Sequence, residues 1–178
     1  MLRTLGNSLA WVTLGTLLGG CGLTQTVSDS TASAARAVFY KQVTTLHLDF
    51  SGRAANNTDE TDMSALSVPT LVRVYQLRDS KAVEQASYDS LLSHGDSKLS
   101  ADLLDAHAVV IKPGEGALLS VPMNRDAKFV TVVGLFRQPD TRMNTWRLTL
   151  ARNDLEPDQP RVIELGDNRL TLRPLAKE

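Results

Sequence analysis

The apolar and polar positions of this chain alternate with a period of two over several short segments after residue 44. Between Thr45 and Phe50 every second residue is apolar, which is typical of a half-buried strand. The segment from Lys128 to Arg137 is apolar on both faces, as expected of a strand in the middle of a sheet. The pattern predicts about eight short strands, at Thr45–Phe50, Thr70–Arg78, His107–Lys112, Gly116–Pro122, Lys128–Arg137, Trp146–Leu150, Val162–Leu165 and Leu170–Leu172.

One segment between these strands has a helical period instead. Ser87 is a candidate N-cap, and the i, i+3, i+4 spacing of Tyr88, Leu91 and Leu92 places all three on one helix face. Ser100 to Leu104 predicts a further short helical turn. Many evenly spaced short strands with a small helical insertion predict an all-β fold, a two-sheet β-sandwich, rather than βαβ units.

The predicted connection from Gly52 to Pro69 is eighteen residues long and has little periodicity. It contains three acidic residues and two adjacent asparagines. Structureless connections of this length are uncommon inside a compact domain and are usually functional or disordered. The segment is therefore a candidate binding loop, and the alternative is a disordered surface loop with no partner.

A different pattern at the start of the chain predicts export. Arg3 precedes the uncharged, mostly apolar stretch from Leu5 to Leu18, and two small residues then precede Cys21, the only cysteine of the chain. A positive start, an apolar segment and small residues at a cleavage site are the parts of a secretory signal. The apolar stretch is shorter than the about 20 residues of a membrane-spanning helix.

The end of this signal, Leu18-Gly19-Gly20-Cys21, resembles the lipobox of bacterial lipoproteins, which reads Leu, small, small, Cys. It departs from the usual box at Gly19, where Ala or Ser is more common. The resemblance implies cleavage between Gly20 and Cys21 and lipidation of Cys21. It also implies sorting to the outer membrane, because Gly22 follows the cysteine in place of the Asp that retains lipoproteins at the inner membrane. The alternative is an ordinary cleaved signal with an incidental cysteine.

These patterns divide the chain into three expected parts. Residues 1–20 are the lipoprotein signal peptide, residues 21–37 are a lipidated flexible tether, and residues 38–178 are the β-sandwich domain. The tether is rich in Ser, Thr and Ala, a composition that buries too little apolar surface to offset the entropy of ordering.

Charge and composition exclude several classes of function. The chain has 19 basic and 20 acidic residues without a basic cluster, so it gives no electrostatic case for nucleic-acid binding. Its three histidines do not form a His-Glu-x-x-His or a Cys/His metal framework. His47 and Asp49 share one strand face, a spacing that two metal ligands can have, but solvated side chains explain this polar face better.

Catalysis has no positive signal either. No Gly-x-Ser-x-Gly elbow is present, although a Ser-His-Asp site is defined by geometry and not by spacing. We therefore predict no enzyme activity, no cofactor and no metal site, and a hydrolase is the competing hypothesis. Distances between the three histidines and nearby carboxylates distinguish the two.

Several segments, in order along the chain, resemble the TssJ lipoproteins of type VI secretion systems. The ordered set, behind a lipobox, is more specific than any one segment. The segments are Val72–Asp79 (VRVYQLRD), Tyr88–Leu91 (YDSL) followed by Leu103-Leu104, Lys112–Glu115 (KPGE), Val130–Arg137 (VTVVGLFR) and Trp146-Arg147.

The resemblance implies a transthyretin-like β-sandwich at the periplasmic face of the outer membrane. It also implies a structural role, in which the protein binds the periplasmic C-terminal region of TssM and anchors the TssJ-TssL-TssM membrane complex. The family's contact with TssM is associated with the loop between the first two strands, which corresponds here to Gly52–Pro69. A lipoprotein module that binds a small ligand or glycan is the alternative function. The predicted partner-binding residues are Asn56, Asn57, Thr58, Asp59, Glu60 and Asp62.

Overall fold

The computed structural model describes residues 42–59, 61 and 66–175. The predicted signal peptide, Cys21 and the tether lie outside the described residues, as do Glu60 and Asp62 of the predicted binding loop. Eight strands and two α-helices are described, in the following order: β1 Thr45–Gly52, β2 Thr70–Leu77, α1 Lys81–Gln85, α2 Tyr88–Lys98, β3 Leu103–Ile111, β4 Gly116–Pro122, β5 Phe129–Leu135, β6 Arg147–Ala151, β7 Arg161–Gly166 and β8 Arg169–Leu172.

The strands form two four-stranded sheets, so the predicted two-sheet, all-β sandwich is confirmed. The first sheet has the order β4-β1-β7-β8 and the second has the order β3-β2-β5-β6. In β1 the residues alternate between partly exposed and buried, and Leu46, Leu48 and Phe50 are the buried apolar ones. The period of two thus reflects one face directed at the core and one directed outward.

The second sheet is apolar on both faces at its centre. β5 lies between β2 and β6, and its Val130, Val132 and Val133 are fully buried. Alternate residues of a strand point to opposite faces, so both faces of β5 are covered. The strand predicted to be central is therefore confirmed as central.

The helical segment packs on the outer face of this second sheet. The Ser87 hydroxyl accepts a hydrogen bond from the Ser90 backbone N–H at 3.3 Å, which confirms the predicted N-cap of α2. The Arg73 guanidinium on β2 donates to the Leu91 carbonyl at 2.7 Å. These bonds fix α2 to the sheet beneath it.

The predicted helical turn at Ser100–Leu104 is wrong at its end. Leu103 and Leu104 are the first residues of β3, and Leu103 pairs with Leu77 of β2. Pairing with a strand distant in sequence supplies the backbone hydrogen bonds here and overrides the local helical pattern.

The strand directions define two ends of the sandwich. At the entry end, the chain enters β1 from residues 42–44 and leaves β8 after Leu172. At the loop end lie the β1–β2 loop, the β3–β4 turn, the β5–β6 connection and the β7–β8 turn. At a rise of about 3.3 Å per residue, the eight residues of β1 separate the two ends by about 26 Å.

Candidate functional site

Asn57 closes the base of the β1–β2 loop. Its side-chain oxygen accepts the backbone N–H of Arg137 at 2.8 Å, and its amide nitrogen donates to the Pro69 carbonyl at 3.5 Å. Its backbone carbonyl accepts the Val68 N–H at 3.1 Å. With only 2% of its surface exposed, Asn57 joins both ends of the loop to the residues that follow β5.

Asn56 is fully buried and holds the same base from the other side. Its backbone N–H donates to the Ser67 hydroxyl at 2.9 Å, and its side-chain amide donates to the Ile111 carbonyl at 3.3 Å. Asn56 and Asn57 were predicted as partner-contacting residues, but their burial places them inside the loop. They shape the surface that a partner would meet.

Thr58 is tied to the β7–β8 turn by Asn168. The Asn168 side chain accepts the Thr58 N–H and donates to the Thr58 carbonyl, each at 3.1 Å. Asp167 and Asn168 have φ values of 51° and 58°, the left-handed conformation required at both centres of a two-residue hairpin turn. Asp and Asn tolerate it because their short polar side chains bond locally. The Gly-Asp-Asn-Arg sequence is a hairpin signal that sequence reasoning overlooked.

Asp59 neutralises a cation of the β5–β6 connection. One carboxylate oxygen lies 3.2 Å from the Arg137 guanidinium. The other oxygen accepts from Gln138 and from the Thr61 backbone N–H. The negative charge predicted to meet a basic partner is therefore already compensated within the molecule, and these contacts fix where the loop lies.

Large apolar side chains are exposed at the loop end. Leu66 in the β1–β2 loop is 64% exposed, and Met143 in the β5–β6 connection is 74% exposed. The Asp140 carboxylate holds the Met143 segment by accepting its backbone N–H at 2.9 Å. Apolar side chains held on ordered loops favour binding of another protein. Neither residue was singled out from the sequence, because exposure is not visible in an irregular segment.

The histidines do not gather into one site. His47 contacts the Ser120 hydroxyl at 3.0 Å in the first sheet, and His107 contacts Asp105 at 2.8 Å in the second. His94 lies in α2. Over residues 42–59, 61 and 66–175, no group of three or more His, Cys, Asp or Glu side chains could hold a metal ion. None of the helices within those ranges has the length and apolar character needed to cross a membrane.

The geometry defines a class of protein: an all-β sandwich that presents an ordered, internally bonded loop at one end. A family model, T6SS-SciN, described as the type VI secretion lipoproteins VasD, EvfM and TssJ, matches residues 44–168. The chain therefore belongs to this family of type VI secretion lipoproteins. The resemblance predicted from the sequence is confirmed. The match does not support the alternative of a ligand- or glycan-binding module.

Solved structures agree with this assignment. One chain of a structure titled "Type VI membrane complex" is 38% identical, with a TM-score of 0.70 over 75% of this chain and 100% of that chain. One chain of "T6SS protein TssM C-terminal domain (869-1107) from EAEC" is 37% identical, with a TM-score of 0.67 and the same coverage. Serratia marcescens Lip, titled a membrane bound component of the Type VI Secretion System, is 24% identical. Its TM-score is 0.64 over 74% of this chain and 98% of that one, which shows the fold. No curated protein matches the chain.

Proposed function

We propose that this chain is a structural lipoprotein of a type VI secretion system that binds the periplasmic C-terminal region of TssM, and through it TssL. Family membership supports the system. The partner is supported by the two similar chains, which come from structures titled with the TssM C-terminal domain and with the membrane complex. Three quarters of this 178-residue chain covers the first of those chains completely, so that chain is shorter than the titled TssM range of 869 to 1107. It therefore accompanies TssM in that structure.

The observation that favours the loop end as the binding surface is the closed base at Asn57. A loop whose two ends are bonded together and to the sandwich is already ordered before binding, and ordering is one of the main costs of association. Leu66 and Met143 supply exposed apolar area beside the compensated Asp59. Thr58, Glu60 and Asp62 complete the proposed contact, and Asn56 and Asn57 support it from within.

The attachment to the membrane follows from the lipobox. We propose cleavage between Gly20 and Cys21, lipidation of Cys21, and a tether over residues 21–37 that leads into the domain at residues 38–178. Stable anchoring needs more than one acyl chain, at about 0.8 kcal/mol per buried methylene. Because Gly22 follows the cysteine, the proposed location is the outer membrane, facing the periplasm. The role is adhesion between the two membranes and not catalysis.

A binding titration tests this proposal. Residues 22–178, without lipid, are titrated with the purified periplasmic region of TssM from the same secretion system and followed by calorimetry. The proposal predicts a saturable complex with a stoichiometry fixed by the titration. Absence of binding at concentrations well above those of ordinary periplasmic complexes would reject the partner.

A further inference from the structure

We propose that β1 is a shear clamp, which resists tension between the membrane tether and the bound partner through all of its strand pairs at once. The inference rests on the proposed function, because that function applies the two forces at residue 44 and below and at the β1–β2 loop. Its content is a mechanical direction of the fold: strong between the entry end and the loop, and weak between the entry end and the C-terminal strand.

The force from the tether reaches β1 through a fastened segment. The Val43 carbonyl accepts a hydrogen bond from the Arg152 guanidinium at 2.7 Å, and the Thr44 carbonyl accepts the Met123 N–H at 2.9 Å. The same guanidinium donates to the Asn124 and Ala127 carbonyls, each at 2.9 Å. The point where the chain enters is therefore bonded to three separate parts of the sandwich.

The force from the partner reaches the opposite end of the same strand. The Gly52 N–H donates to the Glu115 carbonyl at 2.9 Å, and the Arg53 N–H donates to the Leu165 carbonyl at 2.8 Å. Both bonds lie where β1 passes into the loop. Tension between tether and partner is thus directed along the axis of β1.

Both sides of β1 are paired. It forms seven antiparallel residue pairs with β4 and five parallel pairs with β7. Ladder hydrogen bonds run across the strand direction, perpendicular in the antiparallel pair and slanted in the parallel pair. A force along the strand therefore loads both ladders together, and the strand moves only when many bonds break in one event.

The last strand provides the contrast. β8 lies at the edge of the sheet, pairs only with β7 over four residue pairs, and runs back to the entry end. A force between the entry end and the residues after β8 acts on one end of this short ladder. Its pairs then open one after another, each bearing the whole force alone.

Single-molecule force spectroscopy separates the two directions. The unlipidated exported chain keeps Cys21 as its natural thiol handle, and a second thiol is placed either in the loop, Thr61→Cys, or after β8, Pro174→Cys. Both positions are exposed. The first unfolding force should be at least about twofold higher with the Thr61→Cys handle at the same pulling rate.

Equal first unfolding forces in the two geometries, or a lower force through the loop, would overturn the clamp. If thermal unfolding shows that Thr61→Cys is misfolded, Leu66→Cys replaces it as the loop handle, with the same expectation. Neither measurement uses TssM. A force ratio near one beside intact TssM binding therefore rejects only the clamp, and a high ratio without binding upholds the clamp while rejecting the proposed partner.

Discussion

At the scale of single residues, the loop depends on one buried amide. Asn57 lies eighty positions before Arg137, whose backbone N–H it accepts, and it reaches across the loop to Pro69. A pattern of hydrophobic and polar residues cannot reveal a contact over that separation. The sequence pointed to the right segment because it is long and irregular, but it assigned the asparagines to the surface.

Asn57→Ala removes the acceptor of the buried Arg137 N–H and releases the loop base. We expect a loss of about 1–3 kcal/mol in the free energy of unfolding, the usual cost of an unsatisfied buried group, and weaker TssM binding. Denaturant unfolding and calorimetry measure the two effects. Thr61→Ala, at an exposed position of the same loop, is the control and should change stability by less than about 0.5 kcal/mol. Unchanged stability and affinity in Asn57→Ala would contradict the role of the amide.

Glu164 gives the fold a pH dependence. Hydrogen bonding from Arg173, with the nearby charge of Arg53, lowers the pKa of this carboxyl below its ordinary value of 4.5. A lowered folded-state pKa stabilises the protein above the unfolded pKa, and this contribution is lost as the pH falls through the folded pKa. Glu164→Gln should therefore lower Tm at pH 7 and flatten its fall below pH 4.5. A Tm profile parallel to that of the natural chain would contradict this.

At the scale of elements, strands were predictable and their partners were not. Each strand of β1, β4 and β7 type shows its buried face as an alternating pattern, because one side meets the core and the other meets water. The N-cap at Ser87 was likewise visible from local sequence. Leu103 and Leu104 were misassigned because pairing with β2 decides their conformation, and that pairing is not local.

The contact between α2 and β2 depends on a glycine in the helix. A Cβ at Gly95 would lie 2.4 Å from the Tyr75 hydroxyl oxygen, which is buried. Although Ala favours a helix by about 1 kcal/mol over Gly, this overlap should make Gly95→Ala destabilising by about 1–3 kcal/mol.

The double variant Gly95→Ala/Tyr75→Phe tests that explanation, because phenylalanine lacks the overlapping oxygen. In a double-mutant cycle monitored by denaturant unfolding, the second change should recover most of the lost stability. Additive losses would show that the close approach is not the cause.

At the scale of the whole molecule, the account joins two distant features: a lipobox at Cys21 and an ordered loop at the far end of a sandwich. The family and its fold were predictable because ordered segments and a lipobox coincide along the chain. The surface of the loop end was not predictable, because the exposure of Leu66 and Met143 depends on how four connections meet.

Cys21→Ser tests the anchor. Without the thiol, no lipid can be attached, so the protein should be recovered in the soluble periplasmic fraction with the thermal unfolding of the natural domain. Membrane fractionation followed by immunoblotting is the measurement, and the natural chain should appear in the outer-membrane fraction. A variant that stays with the membrane would contradict lipidation, and a natural chain found in the inner membrane would contradict the sorting.

The central claim is that TssM binds at the loop end, and exposed apolar side chains offer a matched test. Leu66 and Met143 lie at that end, whereas Leu118, 74% exposed like Met143, lies on the edge strand β4. The measurement is the Kd for the TssM periplasmic region. We predict that Leu66→Ser/Met143→Ser raises Kd at least about tenfold, equivalent to about 1.4 kcal/mol, while Leu118→Ser leaves it unchanged. Equal Kd values for all three proteins, or a loss confined to Leu118→Ser, would contradict the claim.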